Sequence, residues 1–296
     1  MVDPLSTAYD FIPANPYTLK PLAQLRDLST HQNLSDSILS LEAAVQMDPS
    51  DATAWKNLGL RQQENENEVA AITALRTATE LDPTLLDSWI ALAVSYTNDS
   101  MYSEAYKALE GWIAHNPAYA NLISAQPRTH LHDFLTDLYL AAVRTGDGQM
   151  DPGLQMGLGI LFNISSEHEK ALDCFRACLA LHPQDYMLWN KLGATLANAR
   201  QPARALEAYE RALRLNPDFL RARYNVAIAL VQMGRYTEGV EHLLSILEAQ
   251  ERNLHSLSSA STWNTLGMIM DRYLNRPDLA QAALRKDLDA FRNESP

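Results

Sequence analysis

A polar residue followed by proline recurs along the chain, at Asp48-Pro49, Asp82-Pro83, Asn116-Pro117, Asp151-Pro152, His182-Pro183 and Asn216-Pro217. The intervals between these prolines are 34, 34, 35, 31 and 34 residues. Self-similarity at a fixed period of this length leaves few folds open. Each unit is one supersecondary motif that buries its apolar face only against its neighbours. Six residues after three of the prolines stands a tryptophan: Trp55, Trp89 and Trp189. Each opens a similar phrase, Trp55-Lys-Asn-Leu-Gly59, Trp89-Ile-Ala-Leu-Ala93 and Trp189-Asn-Lys-Leu-Gly193, and Trp263-Asn-Thr-Leu-Gly267 follows later. About a dozen residues beyond comes a small residue in a second amphipathic stretch: Ala71, Ala105 and Ala205, with Ala171 after Gly159.

This is the 34-residue tetratricopeptide pattern, and each feature has a physical job. Small residues at repeat positions eight and twenty let helix A and helix B of one unit approach closely, while Trp and Leu at positions four and seven fill the space between them. Proline at position thirty-two ends helix B, since it clashes with the preceding turn and donates no hydrogen bond. Clear repeats fall at 52–85, 86–119, 152–185, 186–219 and 220–253; a degenerate first repeat covers about 18–51, with Pro21 in its helix A, and a last one starts near Ala260. The stretch 120–151, with Pro127, His130, His132 and Gly146-Asp-Gly148, has the length of a repeat but not its content. The expected fold is therefore all-α: a tetratricopeptide-repeat superhelix of about seven repeats, with a distorted fourth repeat and a C-terminal helical segment. The expected organisation is an extension at 1–17, a first array at 18–119, a distorted repeat or hinge at 120–151, and a second array with the C-terminal segment at 152–296.

Charge narrows the partners. The 296 residues carry 24 Lys and Arg against 36 Asp and Glu, a net charge of −12, which argues against nucleic acid or an anionic membrane as the main partner. No apolar run approaches the roughly 20 residues that span a bilayer, so neither membrane insertion nor secretion is expected. Cys174 and Cys178 lie one helical turn apart and are expected to be buried thiols, with no metal and no cofactor. No Gly-rich phosphate loop, nucleophile elbow or zinc-ligand pair is present, and no enzyme is expected. His130 and His132 are expected in a loop.

Stacked helix pairs leave a concave wall built by helix A, chiefly at repeat positions 2, 5, 6, 9, 12 and 13. Polar residues there are not needed for packing between helices. Three amides (Asn98, Asn190 and Asn225), with Lys191 and Arg221, are expected to project into one cavity; Val94, Thr97, Ala194, Ala197, Asn198 and Gln232 share the wall, and Asn57 and Glu64 extend it. Each amide offers a donor and an acceptor, which suits an extended peptide backbone. The two cations suit a carboxylate, through charge-assisted hydrogen bonds worth about 1.5–3 kcal/mol each. The expected ligand is the free C-terminus of a peptide.

Several phrases are more specific than the repeat demands: Ala91-Leu-Ala-Val-Ser-Tyr-Thr-Asn98, Gly157-Leu-Gly-Ile-Leu-Phe-Asn163, Asp185-Tyr-Met-Leu-Trp-Asn-Lys-Leu-Gly-Ala-Thr-Leu-Ala-Asn198 and Arg221-Ala-Arg-Tyr-Asn225. In these the chain resembles the peroxin-5 family, the receptors for the type 1 peroxisomal targeting signal, from Tyr9-Asp-Phe and Asn15-Pro-Tyr17 onward. The resemblance implies a receptor for cargo ending in a Ser-Lys-Leu-like tripeptide, cytoplasmic and cycling to peroxisomal docking proteins. It implies that Asn98, Asn190 and Asn225 hold the peptide backbone, that Lys191 and Arg221 meet the terminal carboxylate, and that Val94, Thr97 and Ala194 lie near the terminal Leu. Asn198 is then assigned to the small third-from-last residue, and Glu64 and Asp99 to the basic middle one. Ala229 and Gln232 stand where family members commonly have Ser and Asn, which bears on selectivity for the small residue. The Trp-x-x-x-aromatic docking motifs and early cysteine of full-length receptors are absent, so the chain is expected to be the cargo-binding half. The alternative is an adaptor for other C-terminal tails, of heat-shock proteins or membrane channels.

Overall fold

The computed structural model describes residues 8–25, 33–123, 130–145, 149–254 and 260–292. Among these the regular structure is helical throughout. Helix α1 (Leu34–Met47) is helix B of the first repeat. Regular A/B pairs follow in α2 (Ala52–Glu64) with α3 (Glu68–Leu81) and in α4 (Leu86–Asn98) with α5 (Tyr102–His115). In the stretch without repeat content the described residues form a 3-10 turn at Ala120–Leu122 and one α-helix, α6 (Leu131–Thr145). The pairs resume in α7 (Pro152–Ile164) with α8 (His168–Leu181), α9 (Tyr186–Asn198) with α10 (Pro202–Leu215), and α11 (Leu220–Gln232) with α12 (Tyr236–Leu254). Helices α13 (Ala260–Arg272), α14 (Pro277–Leu284) and α15 (Asp289–Arg292) complete the chain.

The period has a bonding basis. The indole Nε1–H of Trp55, Trp89 and Trp189 donates to the carbonyl oxygen of Pro49, Pro83 and Pro183, at 3.0, 2.9 and 2.9 Å. In the seventh repeat Arg223 takes the same place and donates to the Pro217 carbonyl at 2.9 Å. Helix B ends two residues before each proline, at Met47, Leu81, His115, Leu181 and Leu215. Between helix A and helix B every regular repeat turns through one left-handed residue, namely Glu66, Ser100, Ser166, Arg200 and Gly234. The next N–H reaches back across the turn, as Met101 to Tyr96 and Gln201 to Leu196, which satisfies carbonyls at the end of helix A. Four of these five residues are not glycine and accept the unfavourable φ because the turn bonds compensate for it. At position eight, a Cβ on Gly193 would stand 2.5 Å from the Tyr209 ring, so only glycine admits that ring between α9 and α10.

One apolar core runs from the second repeat to the seventh through Trp112, Tyr139, Phe175 and Tyr209. A second core joins Tyr9, α1 and Trp55 to Leu220 of α11 and Ile246 of α12, so the first repeats meet the last. The C-terminal helices pack on the seventh repeat through Trp263, Leu266 and Phe291. Cys174 and Cys178 are buried, and burial pushes their thiols up to about 11 and about 12. His132 departs from expectation. It lies inside α6, where its Nδ1 meets the Tyr106 hydroxyl at 3.3 Å, and His130 immediately precedes that helix. Pro127 and Gly146-Asp-Gly148 fall outside the described residues.

Candidate functional site

Helix A of the third, fifth, sixth and seventh repeats surrounds a cavity of about 370 Å³. Val94, Thr97 and Asn98 enter from α4, Ile160, Asn163 and Ile164 from α7, Lys191, Ala194 and Asn198 from α9, and Arg221 and Asn225 from α11. Within each helix the later residues fall three or four from the first, or seven in the case of Asn198, which places them on one face. Asn190 stands beside them: its Oδ1 accepts from Asn225 Nδ2 at 2.8 Å.

The two cations differ. The Lys191 ammonium makes no hydrogen bond or ion pair among the described residues; burial pulls it below the ordinary lysine range, while Asp185 and Glu68 act in the opposite direction. Arg221 is engaged. Its Nη2 donates to Glu68 Oε1 at 2.5 Å and its Nη1 lies 3.5 Å from Glu66. The same Glu68 oxygen accepts from Asn98 Nδ2 at 2.7 Å. Glu68 Oε2, Arg221 Nε and Asn163 Oδ1 are buried and have no hydrogen-bond partner among the described residues. A carboxylate of the chain itself thus bridges two residues expected to hold a ligand, and an amine, a guanidinium nitrogen and an amide oxygen still have bonding capacity to spare.

Glu68 is the first residue of α3, directly after the short loop that closes the array. Gln250 of α12 donates to the Asn65 carbonyl at 3.0 Å, and Ser261 and Thr262 of α13 donate to the Glu66 carboxylate at 2.6 and 3.1 Å. A neighbouring cavity of about 560 Å³ lies on this loop, lined by Glu66, Glu68, Asp99, Arg221 and Asn264.

Besides Ala197, and Asn57, which lines a separate cavity with Glu64, four expected residues lie away from the main cavity. Asp99 faces the neighbouring acidic cavity. Glu64, at the end of α2, is 3% exposed, and its carboxylate accepts from Arg61, Tyr186 and Asn216. Burial pushes that carboxyl above its ordinary range, opposed chiefly by Arg61. Ala229 is 1% exposed, because repeat position ten turns into the apolar core shared with the sixth repeat rather than toward the concave wall. Gln232 is exposed at the last turn of α11. Conversely, Asn163, Ile160 and Ile164 line the cavity and were not among the expected site residues. They occupy positions 12, 9 and 13 of the fifth repeat, so the positional rule that found Val94, Thr97 and Asn98 also reaches them.

Comparison with known proteins bears on the fold and the family. Residues 22–85 and 196–260 each match the tetratricopeptide repeat. The peroxisomal targeting signal receptor of Candida albicans is 39% identical over 247 residues, covering 79% of this chain and 40% of that protein. That of Yarrowia lipolytica is 37% identical over 284 residues, covering 90% of this chain and 47% of its own length. A mouse PEX5-related protein is 46% identical over 180 residues, covering 56% of this chain and 32% of that protein. The chain therefore spans less than half the length of these relatives. With its repeats, closing loop and cavity, it belongs to the peroxisomal targeting signal receptor family, of which it represents the tetratricopeptide-repeat part.

Proposed function

We propose that the chain binds the C-terminal Ser-Lys-Leu-like signal of peroxisomal cargo, with the terminal residues inside the cavity between α4, α7, α9 and α11. The observation that carries the reading is Lys191, an ammonium with no ion pair among the described residues, beside amides that converge from four helices. A peptide carboxylate would supply the missing charge. A half-buried cation gains more from such a partner than an exposed one, because water screens the pair less. Asn98, Asn163, Asn198 and Asn225 offer donors and acceptors to an extended backbone. Val94, Ile160, Ile164 and Ala194 give the terminal apolar side chain a place out of water. The acidic cavity holding Glu66, Glu68 and Asp99 suits a basic side chain next to the terminus.

Binding, not catalysis, is the activity this arrangement supports. In this reading the chain takes up cargo in the cytoplasm and passes it to docking proteins at the peroxisomal membrane, and the α6 region joins two arrays that close around the peptide. The test is fluorescence anisotropy of a labelled peptide ending in Ser-Lys-Leu, beside its C-terminally amidated twin and an acidic heat-shock tail peptide. Saturable binding of the free acid, weakened about tenfold or more by amidation, is expected. Preference for the heat-shock tail, or indifference to amidation, would replace this reading with that of a different adaptor.

A further inference from the structure

Helix α9 has a second lined face. Lys191, Ala194 and Asn198 look into the cargo cavity. Trp189, Leu192 and Leu196 instead line a separate cavity of about 280 Å³ against α10, rimmed by Arg204, Arg211 and Arg214 with one carboxylate, Glu207, among them. The two sets are offset by two residues, roughly 200° around a helix of 3.6 residues per turn, so they open on opposite sides of α9.

The repeat frame does not require this basic rim. At the four helix-B positions held here by Arg204, Glu207, Arg211 and Arg214 the net charge is +2. The same positions carry −1 in the second repeat (Glu80), zero in the third and fifth (Glu104 with Lys107; Lys170 with Asp173), and −3 in the seventh (Glu238, Glu241, Glu248). A cationic rim on one repeat of a chain with net charge −12 is therefore local. The space beneath it is local too: repeats three and five place Tyr96 and Phe162 where the sixth has the shorter Leu196. The arginines are not consumed by the fold. Arg211 has no ion pair or hydrogen bond among the described residues; Arg204 reaches only Gln201, at 2.5 Å, and Arg214 lies 3.8 Å from exposed Glu210.

We propose that the α9–α10 groove docks an acidic segment of a partner protein, one large apolar side chain entering between Trp189 and Leu196 while flanking carboxylates meet Arg204, Arg211 and Arg214. Charge complementarity selects that occupant: guanidinium groups bind carboxylates through paired, planar hydrogen bonds, and the groove floor is apolar. Because this face turns away from the cargo cavity, the partner and the cargo peptide bind together.

The test uses the full chain and a labelled peptide, acetyl-Asp-Glu-Phe-Asp-Glu-amide, whose blocked ends keep it from acting as a terminal carboxylate. Anisotropy is expected to show saturable, salt-sensitive binding that persists under saturating Ser-Lys-Leu peptide. Replacing the peptide Phe by Ser, or combining Arg204→Glu, Arg211→Glu and Arg214→Glu, should weaken it about tenfold or more. The melting temperature and Ser-Lys-Leu affinity of the triple variant should be retained. Should the triple variant fail to fold, Arg211→Gln alone must still weaken binding. The proposal is overturned by no saturable binding below about 1 mM, by unchanged binding in the variants, or by competition from the Ser-Lys-Leu peptide. It is equally overturned if phosphatidylserine vesicles, not the peptide, bind in an arginine-dependent way.

Discussion

Replacing Glu68 by Gln tests whether the chain's own carboxylate competes with a bound one. Glu68 Oε1 accepts from Arg221 at 2.5 Å and from Asn98 at 2.7 Å, so an incoming carboxylate meets a guanidinium already in use. Arg221 and Glu68 are 14% and 11% exposed, which shields the pair from water. A charge-assisted hydrogen bond contributes about 1.5–3 kcal/mol, and a neutral one about 0.5–1.5 kcal/mol. Exchanging the carboxylate for an amide of the same shape should therefore lower the cost of releasing Arg221 by about 1.4 kcal/mol, or tenfold in affinity. Affinity alone does not decide the outcome, since Glu68 also adjoins the closing loop. The assay is the ratio of dissociation constants for the amidated and free-acid Ser-Lys-Leu peptides, in which any loosening of the loop affects both peptides alike. The ratio should rise about tenfold in Glu68→Gln over the parent chain. An unchanged or smaller ratio would show that the ligand carboxylate never contends with Glu68 for Arg221.

Three other outcomes follow from the geometry. Asn225→Ala or Asn190→Ala breaks the 2.8 Å amide pair and should weaken Ser-Lys-Leu binding about tenfold while the melting temperature holds; equal affinity would remove these residues from the site. Gly157→Ala places a Cβ 2.0 Å from the Tyr139 ring, which is fully buried and donates to the Leu109 carbonyl at 2.9 Å. Overpacking there should cost about 1–3 kcal/mol, and an unshifted thermal melt would show that the ring moves aside. Glu42 is buried, and desolvation raises its carboxyl from 4.5 to about 7 despite bonds from the Ile12 N–H and the Tyr9 hydroxyl. The folded state then holds this proton to higher pH than the unfolded chain, so its contribution to stability falls as pH rises from about 4.5 to about 7 and is level above. Denaturant unfolding at about pH 5 and pH 8 should show that loss in the parent and a smaller one in Glu42→Gln; equal losses would refute the assignment.

The repeat was legible because its signals are local. A proline and a tryptophan six residues later are joined by one hydrogen bond, as at Pro49 and Trp55, and no distant residue is needed to see it. Helix A positions 9, 12 and 13 were readable for the same reason, and Val94, Thr97 and Asn98 reach the cavity as the frame requires. Ala229 was drawn from family likeness instead of the frame, and position ten carries it into the core. Arg221 was readable as a cation on the concave wall, but its partner was not. Glu68 lies 153 residues earlier, and only closure of the array brings the two together. Glu64 was hidden likewise: on an isolated α2 it would be a solvated end, yet Tyr186 and Asn216 cover it across 122 and 152 residues.

Closure also changes how such a molecule comes apart. A repeat array is ordinarily a one-dimensional chain of neighbours, free to fray from either end. Here Gln250 reaches Asn65 across 185 residues, and Thr262 reaches Glu66 across 196. Loosening the C-terminal helices therefore uncovers polar groups of the second repeat, and loosening that repeat uncovers α12 and α13. The two termini share one opening event, so amide protons near either end should exchange with similar protection instead of grading from the ends inward. Late joining of the ends also adds sequence-distant contacts to a topology otherwise built from local ones, which makes the last closure the slow part of assembly.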